Sequence, residues 1–340
     1  MTGAHESCAH ATTHSDGRCT WPGANLSSKN HRRNRMTQRN NALETPMLIE
    51  AAICPYRGGE PVFDLQGMIR EAKACLAAGA TLVHHHHDGR LDTAGAIEEM
   101  VALSKAVLAE FPHAIMNPNP AKGDDVRDNA AHFIPMFKAG ALGLVPVDPG
   151  RQISPQLDEN GLPFGDNKVH STFNDANYIL KLCQQHDVPL TIGVYEPYNL
   201  RWALAYAEAG KLPAGSMVKL YFGGRYSLHT LGKRALNFGL PPTREALDAY
   251  LSMLDGSGLQ WSVAVMGDAL LDTPLARHAI ERGGHLRVGI EDMAGRSPAS
   301  NRETVEMAVD LANKVGRPIA RPDQAWAILG RNSAPMAAAA

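Results

Sequence analysis

Between Met47 and Val315 the chain repeats one pattern eight times: a short apolar run, then a stretch with helical spacing. The runs are Met47–Ile53, Thr81–His86, Ala114–Asn117, Ala141–Val147, Pro189–Tyr195, Met217–Phe222, Trp261–Val265 and Leu286–Ile290. Helices are expected over Asp64–Ala78, Thr93–Glu110, a segment reaching Phe137, Asn174–His186, Leu200–Ala209, Thr243–Leu254, Pro274–Glu281 and Thr304–Val315. Strands joined by helical crossovers lie parallel. Eight such units in one chain predict an α/β fold, a (β/α)8 TIM barrel, over an open doubly wound sheet. Neither GxGxxG after the first strand nor GxxxxGK[ST] is present, which removes two common nucleotide fingerprints. The Pro- and Gly-bearing segment Asp148–Val169 reads as a loop over one end of the barrel.

Outside this frame the texture changes. Residues 1–46 are rich in His, Asn, Arg, Ser and Thr with almost no apolar periodicity, so a disordered extension is expected there. Residues 331–340 read as a flexible tail, which leaves 47–330 as the catalytic domain. A net charge of -2 gives no electrostatic reason to expect nucleic acid or an anionic membrane as partner. No apolar stretch approaches the ~20 residues that span a bilayer. The five cysteines lack CxxC spacing and no apolar h-region opens the chain, so a reducing, cytoplasmic setting is expected.

The second strand runs straight into four histidines, Thr81-Leu-Val-His-His-His-His-Asp88. Side chains alternate across a strand, so His84 and His86 share one face and His85 and His87 the other. Two imidazoles so placed suit Zn2+ or a neighbouring first-row metal better than Ca2+ or Mg2+. A purification tag or a solvated His run is the bland alternative, but tags sit at termini and are not fed by a Leu-Val strand.

The complementary half is Gly283-Gly-His-Leu-Arg-Val-Gly-Ile-Glu-Asp292. Leu286, Val288 and Ile290 share one parity and are expected to face the helices; Arg287, Gly289 and Glu291 take the axis side. Glu291 is then a candidate third metal ligand, because three protein ligands and an open position make a catalytic zinc site. Arg287 beside it would keep the Asp292 carboxylate ionised. An internal ion pair that merely closes the barrel is the structural alternative for these charges.

His84-x-His86, Trp261-Ser-Val-Ala, the Gly283–Asp292 block, Ser300-Asn301 and the Gly316–Gly330 tail together resemble the β-keto acid cleavage enzymes. The resemblance covers roughly Met47 to Gly330. It implies a zinc-dependent barrel that converts a β-keto acid and acetyl-CoA into acetoacetate and a new acyl-CoA. It further implies His84, His86 and Glu291 as zinc ligands, Arg287 and Asp292 as the proton-abstracting couple, and a homotetramer. The alternatives are a zinc lyase or hydrolase that uses no thioester, and a non-catalytic metal-binding barrel.

Around the expected mouth the chain departs from the family pattern. Cys54-Pro-Tyr-Arg57-Gly-Gly replaces a Glu-bearing turn after the first strand. Arg57 is therefore either a receptor for a carboxylate on the substrate's far end or a solvated loop residue. Glu50, a charge within the first strand, is expected to reach the zinc shell or Arg287. In Asn117-Pro-Asn119-Pro120, Asn119 stands as the substrate-binding hydrogen-bonding residue in place of a serine. Glu196, at the end of the fifth strand, is either a rim substrate contact or a surface ion-pair partner. Lys122, Arg151, Arg225, Lys233 and Arg234 lie on loops suited to the phosphates of CoA.

Overall fold

The computed structural model describes residues 42–54, 63–153, 156–166, 168–226 and 234–336. Arg57 and Lys233 lie outside them. Eight strands form one sheet: β1 (Ile49–Ala52), β2 (Leu82–His85), β3 (Ile115–Pro118), β4 (Val145–Val147), β5 (Leu190–Val194), β6 (Met217–Gly223), β7 (Gln260–Met266) and β8 (His285–Val288). Every neighbouring pair in the order β3-β2-β1-β8-β7-β6-β5-β4 is parallel. The first and last strands of the sequence pair with each other, and that pairing rolls the sheet into a (β/α)8 barrel.

The gap between β3 and β4 is bridged by the backbone N–H groups of Gly143 and Leu144, both of which donate to the Met116 carbonyl. Glycine is required at that seam. A Cβ on Gly143 would meet Ile115 Cγ2 at 2.7 Å and the Met116 nitrogen at 3.1 Å.

The outer layer follows from the helical spacing: α1 (Leu65–Ala77), α2 (Thr93–Leu108), α3 (Val126–Ala130), α4 (Phe133–Lys138), α5 (Phe173–His186), α6 (Pro197–Glu208), α7 (Arg244–Leu254), α8 (Pro274–Glu281) and α9 (Asn301–Val315). The outward-facing strand residues, among them Val83, Val218, Leu220, Leu286 and Val288, join the buried faces of these helices in one continuous core. α9 shows how sequence sets an element. Ser300 and Glu303 form a reciprocal capping box, Gly316 ends the helix at φ 87°, and Thr304, Val305, Ala308 and Ala312 supply its buried stripe.

Three expectations change in detail. β8 stops at Val288, so Ile290 and Glu291 lie past the strand and not within it. The helix expected to reach Phe137 is two short helices, α3 and α4. The Asp148–Val169 segment carries two small antiparallel ladders, Gln152–Ile153 with Lys168–Val169 and Gln156–Leu157 with Pro163–Phe164. The compact unit starts at Ala42, slightly ahead of Met47, and Thr45 is tied in through its carbonyl to buried Arg317. Among the described residues no helix is long and apolar enough to cross a membrane.

Crowding at the β3–β4 seam leads to a stability prediction. Gly143→Val should cost about 1–3 kcal/mol through overpacking against backbone, read as a lower urea midpoint at unchanged slope.

Candidate metal centre and active site

His86 and Glu291 lie just past the C-terminal ends of β2 and β8. His84, the third residue of β2, points to the axis, and His86 follows just beyond the strand's end. Their rings stand edge to face with centroids 5.2 Å apart. His84 Nδ1 donates to the Asn117 carbonyl on β3 at 2.9 Å, which leaves Nε2 with its lone pair turned inward. Burial first, only partly offset by Glu291, brings the His84 imidazole down to about 4, so it is neutral at physiological pH, as a metal ligand must be. The other two histidines are not among the three clustered donors. His85 packs on Ser104 of α2, its Nε2 3.3 Å from the hydroxyl, and His87 is buried along the wall of the adjoining cavity.

Glu291 arrives from the other side of the β1–β8 seam. Gly289, at φ 155°, turns the chain so closely over β1 that a Cβ would come within 2.1 Å of the Ala52 carbonyl oxygen. Asn301, the first residue of α9, then pins the turn by accepting from the Ile290 N–H at 2.8 Å. Glu291 Oε2 is thereby placed 3.4 Å from His84 Nε2, and Oε1 3.2 Å from His86 Nε2. One donor atom from each of the three residues lies within 4.8 Å of the others. Zinc ligands with bonds of about 2.0–2.2 Å stand roughly 3.3–3.6 Å apart around a tetrahedral ion. The donor set and its spacing therefore fit a metal ion with an open position.

Behind this trio lies a buried charge network. Arg287, 1% exposed, donates from Nε and Nη2 to Asp292, from Nη1 to Glu50 Oε1 at 3.2 Å, and places Nη2 3.0 Å from Glu291 Oε2. Lys219 of β6 sits 2.7 Å from Glu50, which also accepts from Asn117 Nδ2 at 2.9 Å. Burial pushes the Glu50 carboxyl up, but Lys219 and Arg287 outweigh it and hold it at about 2. For Asp292 burial wins: with the charge of Glu291 adding and Arg287 opposing, its carboxyl rises to about 6. Three carboxylates against two cations leave this cluster one negative charge in excess. A divalent ion held by His84, His86 and Glu291 would turn that excess to one positive.

A cavity of about 990 Å3 opens onto this centre, lined by His84, His86, Glu291, Arg287, Lys219 and Asn119 among others. Asn119 reaches the wall after donating its N–H to the His85 carbonyl. Glu50 and Asp292 lie behind the wall and act through Arg287 and Lys219. Glu196 stays out of this constellation: it heads α6 in a capping box with Asn199 and accepts from the Gly239 N–H at 2.8 Å. Asn117 and Lys219 are the side chains that sequence reasoning passed over. The signal for Lys219 is parity, since Lys219 and Tyr221 alternate with Val218, Leu220 and Phe222 along β6 and so face the axis.

Comparison with known proteins decides the family. The model of the β-keto acid cleavage enzymes matches residues 63–330. The chain belongs to this family. It is 25% identical over 301 residues to the 3-keto-5-aminohexanoate cleavage enzyme of Acetoanaerobium sticklandii, covering 84% of this chain and 98% of the relative. Against the 3-oxoadipate:acetyl-CoA acetyltransferase of Cupriavidus necator it is 23% identical over 301 residues, 84% of this chain and 95% of the relative. Among solved structures it is similar in fold to ObcA in binary complex with oxaloacetate, with a TM-score of 0.60 at 14% identity over 79% of this chain and 67% of that one. As a member of the β-keto acid cleavage enzymes, the protein is an enzyme on a TIM barrel.

The network makes stability depend on pH in a defined direction. Glu50 has its folded carboxyl lowered from the usual 4.5 to about 2, so its contribution is present above pH 4.5 and is lost as pH falls through 2. Lys219→Met, which strips the buried carboxylate of one partner, should cost roughly 3–5 kcal/mol at neutral pH. Urea unfolding at a series of pH values should show the gap from wild type shrinking below pH 4.5.

Proposed function

We propose that this protein is a zinc-dependent β-keto acid cleavage enzyme, an acyltransferase that condenses a β-keto acid with acetyl-CoA and releases acetoacetate and a new acyl-CoA. The observation that carries the reading is the convergence of His84, His86 and Glu291 beside the Arg287–Asp292 couple at the catalytic end of the barrel. The relatives add support, since one is named for cleavage of a 3-keto acid and another for 3-oxoadipate with acetyl-CoA. A zinc ion held by the two imidazoles and the carboxylate would supply Lewis acidity toward the keto and carboxylate oxygens and so acidify the carbon between them.

The chain's own groups do the rest. The Arg287–Asp292 couple takes the proton from that carbon: Arg287 faces the cavity, and Asp292 behind it accepts from Arg287 Nε at 2.9 Å, its carboxyl raised by burial toward neutral pH. Arg287 reaches the cavity wall and sets a fixed cation beside the charge that develops on the substrate. Glu50 and Lys219 hold that guanidinium still. In the overall transfer the acetyl group leaves sulfur for the substrate's C2 carbon. The C2–C3 bond then breaks as the CoA sulfur takes the original acyl group, and the abstracted proton is returned to acetoacetate. The homotetramer implied by the resemblance is part of this proposal and is read by light scattering.

Metal analysis of the purified protein should find about one zinc per chain, falling below roughly a tenth in His84→Ala, as loss of one of three ligands requires. Incubation with acetyl-CoA and a panel of β-keto acids should yield acetoacetate; none from any member would remove the reading. Asp292→Asn should keep the zinc and lower kcat by about 100-fold or more.

A further inference from the structure

The cavity has a second charged end that the reaction above does not use. Four of its lining residues are lysines or arginines: Lys122, Arg151, Lys219 and Arg287. Lys219 is committed to Glu50, and Arg287 to Glu50, Glu291 and Asp292. Lys122 is exposed on the rim. Arg151 differs from all three: its side chain is 15% exposed, and among the described residues only its Nη1 has a hydrogen-bonded partner, Asp148 Oδ2 at 3.2 Å. A guanidinium carries five N–H donors, so a sheltered fork remains turned to the cavity.

This fork is held in place from several sides. Arg151 lies at the root of the Asp148–Val169 insertion, where its carbonyl accepts from the His170 and Ser171 N–H groups. Its guanidinium carbon sits 4.5 Å from the centre of the Tyr195 ring. Tyr195 stacks on Tyr221 at 4.6 Å with only 10° between the rings, and Arg287 lies 5.9 Å from the far ring. Two stacked rings thus separate the guanidinium at the metal centre from the one at the outer end.

Asp148 is placed to orient Arg151. Its Oδ2 takes both Arg151 Nη1 and the Tyr195 hydroxyl, at 3.2 Å each. Its Oδ1 rests against the β5 backbone, where a Cβ on Gly193 would come within 2.2 Å. Asp148 shares the cavity wall, but with Oδ2 taken by Arg151 and Tyr195 it leaves an ammonium group on the substrate's tail a single oxygen, Oδ1. A carboxylate would find a preoriented, partly desolvated fork, the geometry that binds it bidentately.

We propose that Arg151 is the receptor for a carboxylate at the far end of the substrate, so that the protein's substrates are β-keto diacids. The proposal rests on the cleavage reading for the keto-acid end, while the recognition itself is a matter of binding and is tested as such. The metal-loaded protein is titrated calorimetrically with α,ω-diacids of four to seven carbons, with monoacids of the same lengths and with coenzyme A. One diacid should bind at least ~10-fold more tightly than its matched monoacid, the worth of one charge-assisted pair. Arg151→Met should abolish that preference at an unchanged melting temperature. Arg151→Lys, which keeps the charge without the fork, should retain part of it and serves if the methionine variant does not fold.

Equal binding of diacids and monoacids, no binding of either, or a preference that survives Arg151→Met overturns the proposal. So does a loss confined to coenzyme A, which would assign the guanidinium to a phosphate. An Arg151-dependent diacid preference without acetoacetate formation sinks the cleavage reading and leaves this one standing; acetoacetate formed without that preference does the reverse.

Discussion

A guanidinium that is 1% exposed cannot stand alone, and the active end of this barrel is arranged around Arg287's need for partners. It finds three carboxylates. Glu50 comes from β1, Glu291 and Asp292 from the turn after β8, and Lys219 of β6 enters through Glu50. Burial opposes the charge on Arg287, but Asp292, Glu291 and Glu50 together hold it firmly protonated. The cluster therefore ties the seam between the first and last strands to the opposite side of the ring. Replacement by packed apolar side chains would serve stability as well or better. Such a core would have no excess negative charge to offer a cation and no raised carboxyl beside it.

The same cluster orders the candidate metal centre. Glu291 is aimed at the histidines by Arg287 from one side and by the pinned turn through Ile290 and Asn301 from the other. Asn117 joins the two halves, accepting from His84 through its carbonyl and donating to Glu50 through its amide. Sub-ångström placement of the three donors is thus a property of backbone turns and hydrogen bonds behind them. Further out, the stacked Tyr195 and Tyr221 rings carry a cation at each end, so the cavity presents fixed positive charge both beside the His84–Glu291 cluster and at its outer wall.

Much of this was legible in the residues. Period-two parity placed His84 with His86 on one face and Arg287 on the axis side, and helical spacing gave eight crossovers. What escaped has physical causes. Lys219 obeys the same parity rule but was hidden in an otherwise apolar strand, where one lysine reads as an edge or a boundary. Asn117 acts through a carbonyl that no side-chain pattern reports. Glu196 lies just past β5, and the chain continues at once into Pro197 and α6, so its N–H is held by Asn199 Oδ1 and its carboxylate is spent on the Gly239 N–H. Arg151 reads in the sequence as one of several loop cations, because its burial depends on Tyr195 after β5 and Tyr221 on β6.

By itself the sequence determined the number of strand–helix units, the faces of the strands and the chemical types available at their ends, since these depend on local periodicity and neighbouring residues. Only the tertiary structure decided which ends meet. Glu291 lies beside His84 because β8 pairs with β1, and β1 with β2; Tyr195 reaches Arg151 and Asp148 because β4 and β5 are neighbours. Closure of the ring brings together residues hundreds of positions apart, and no local pattern carries that information.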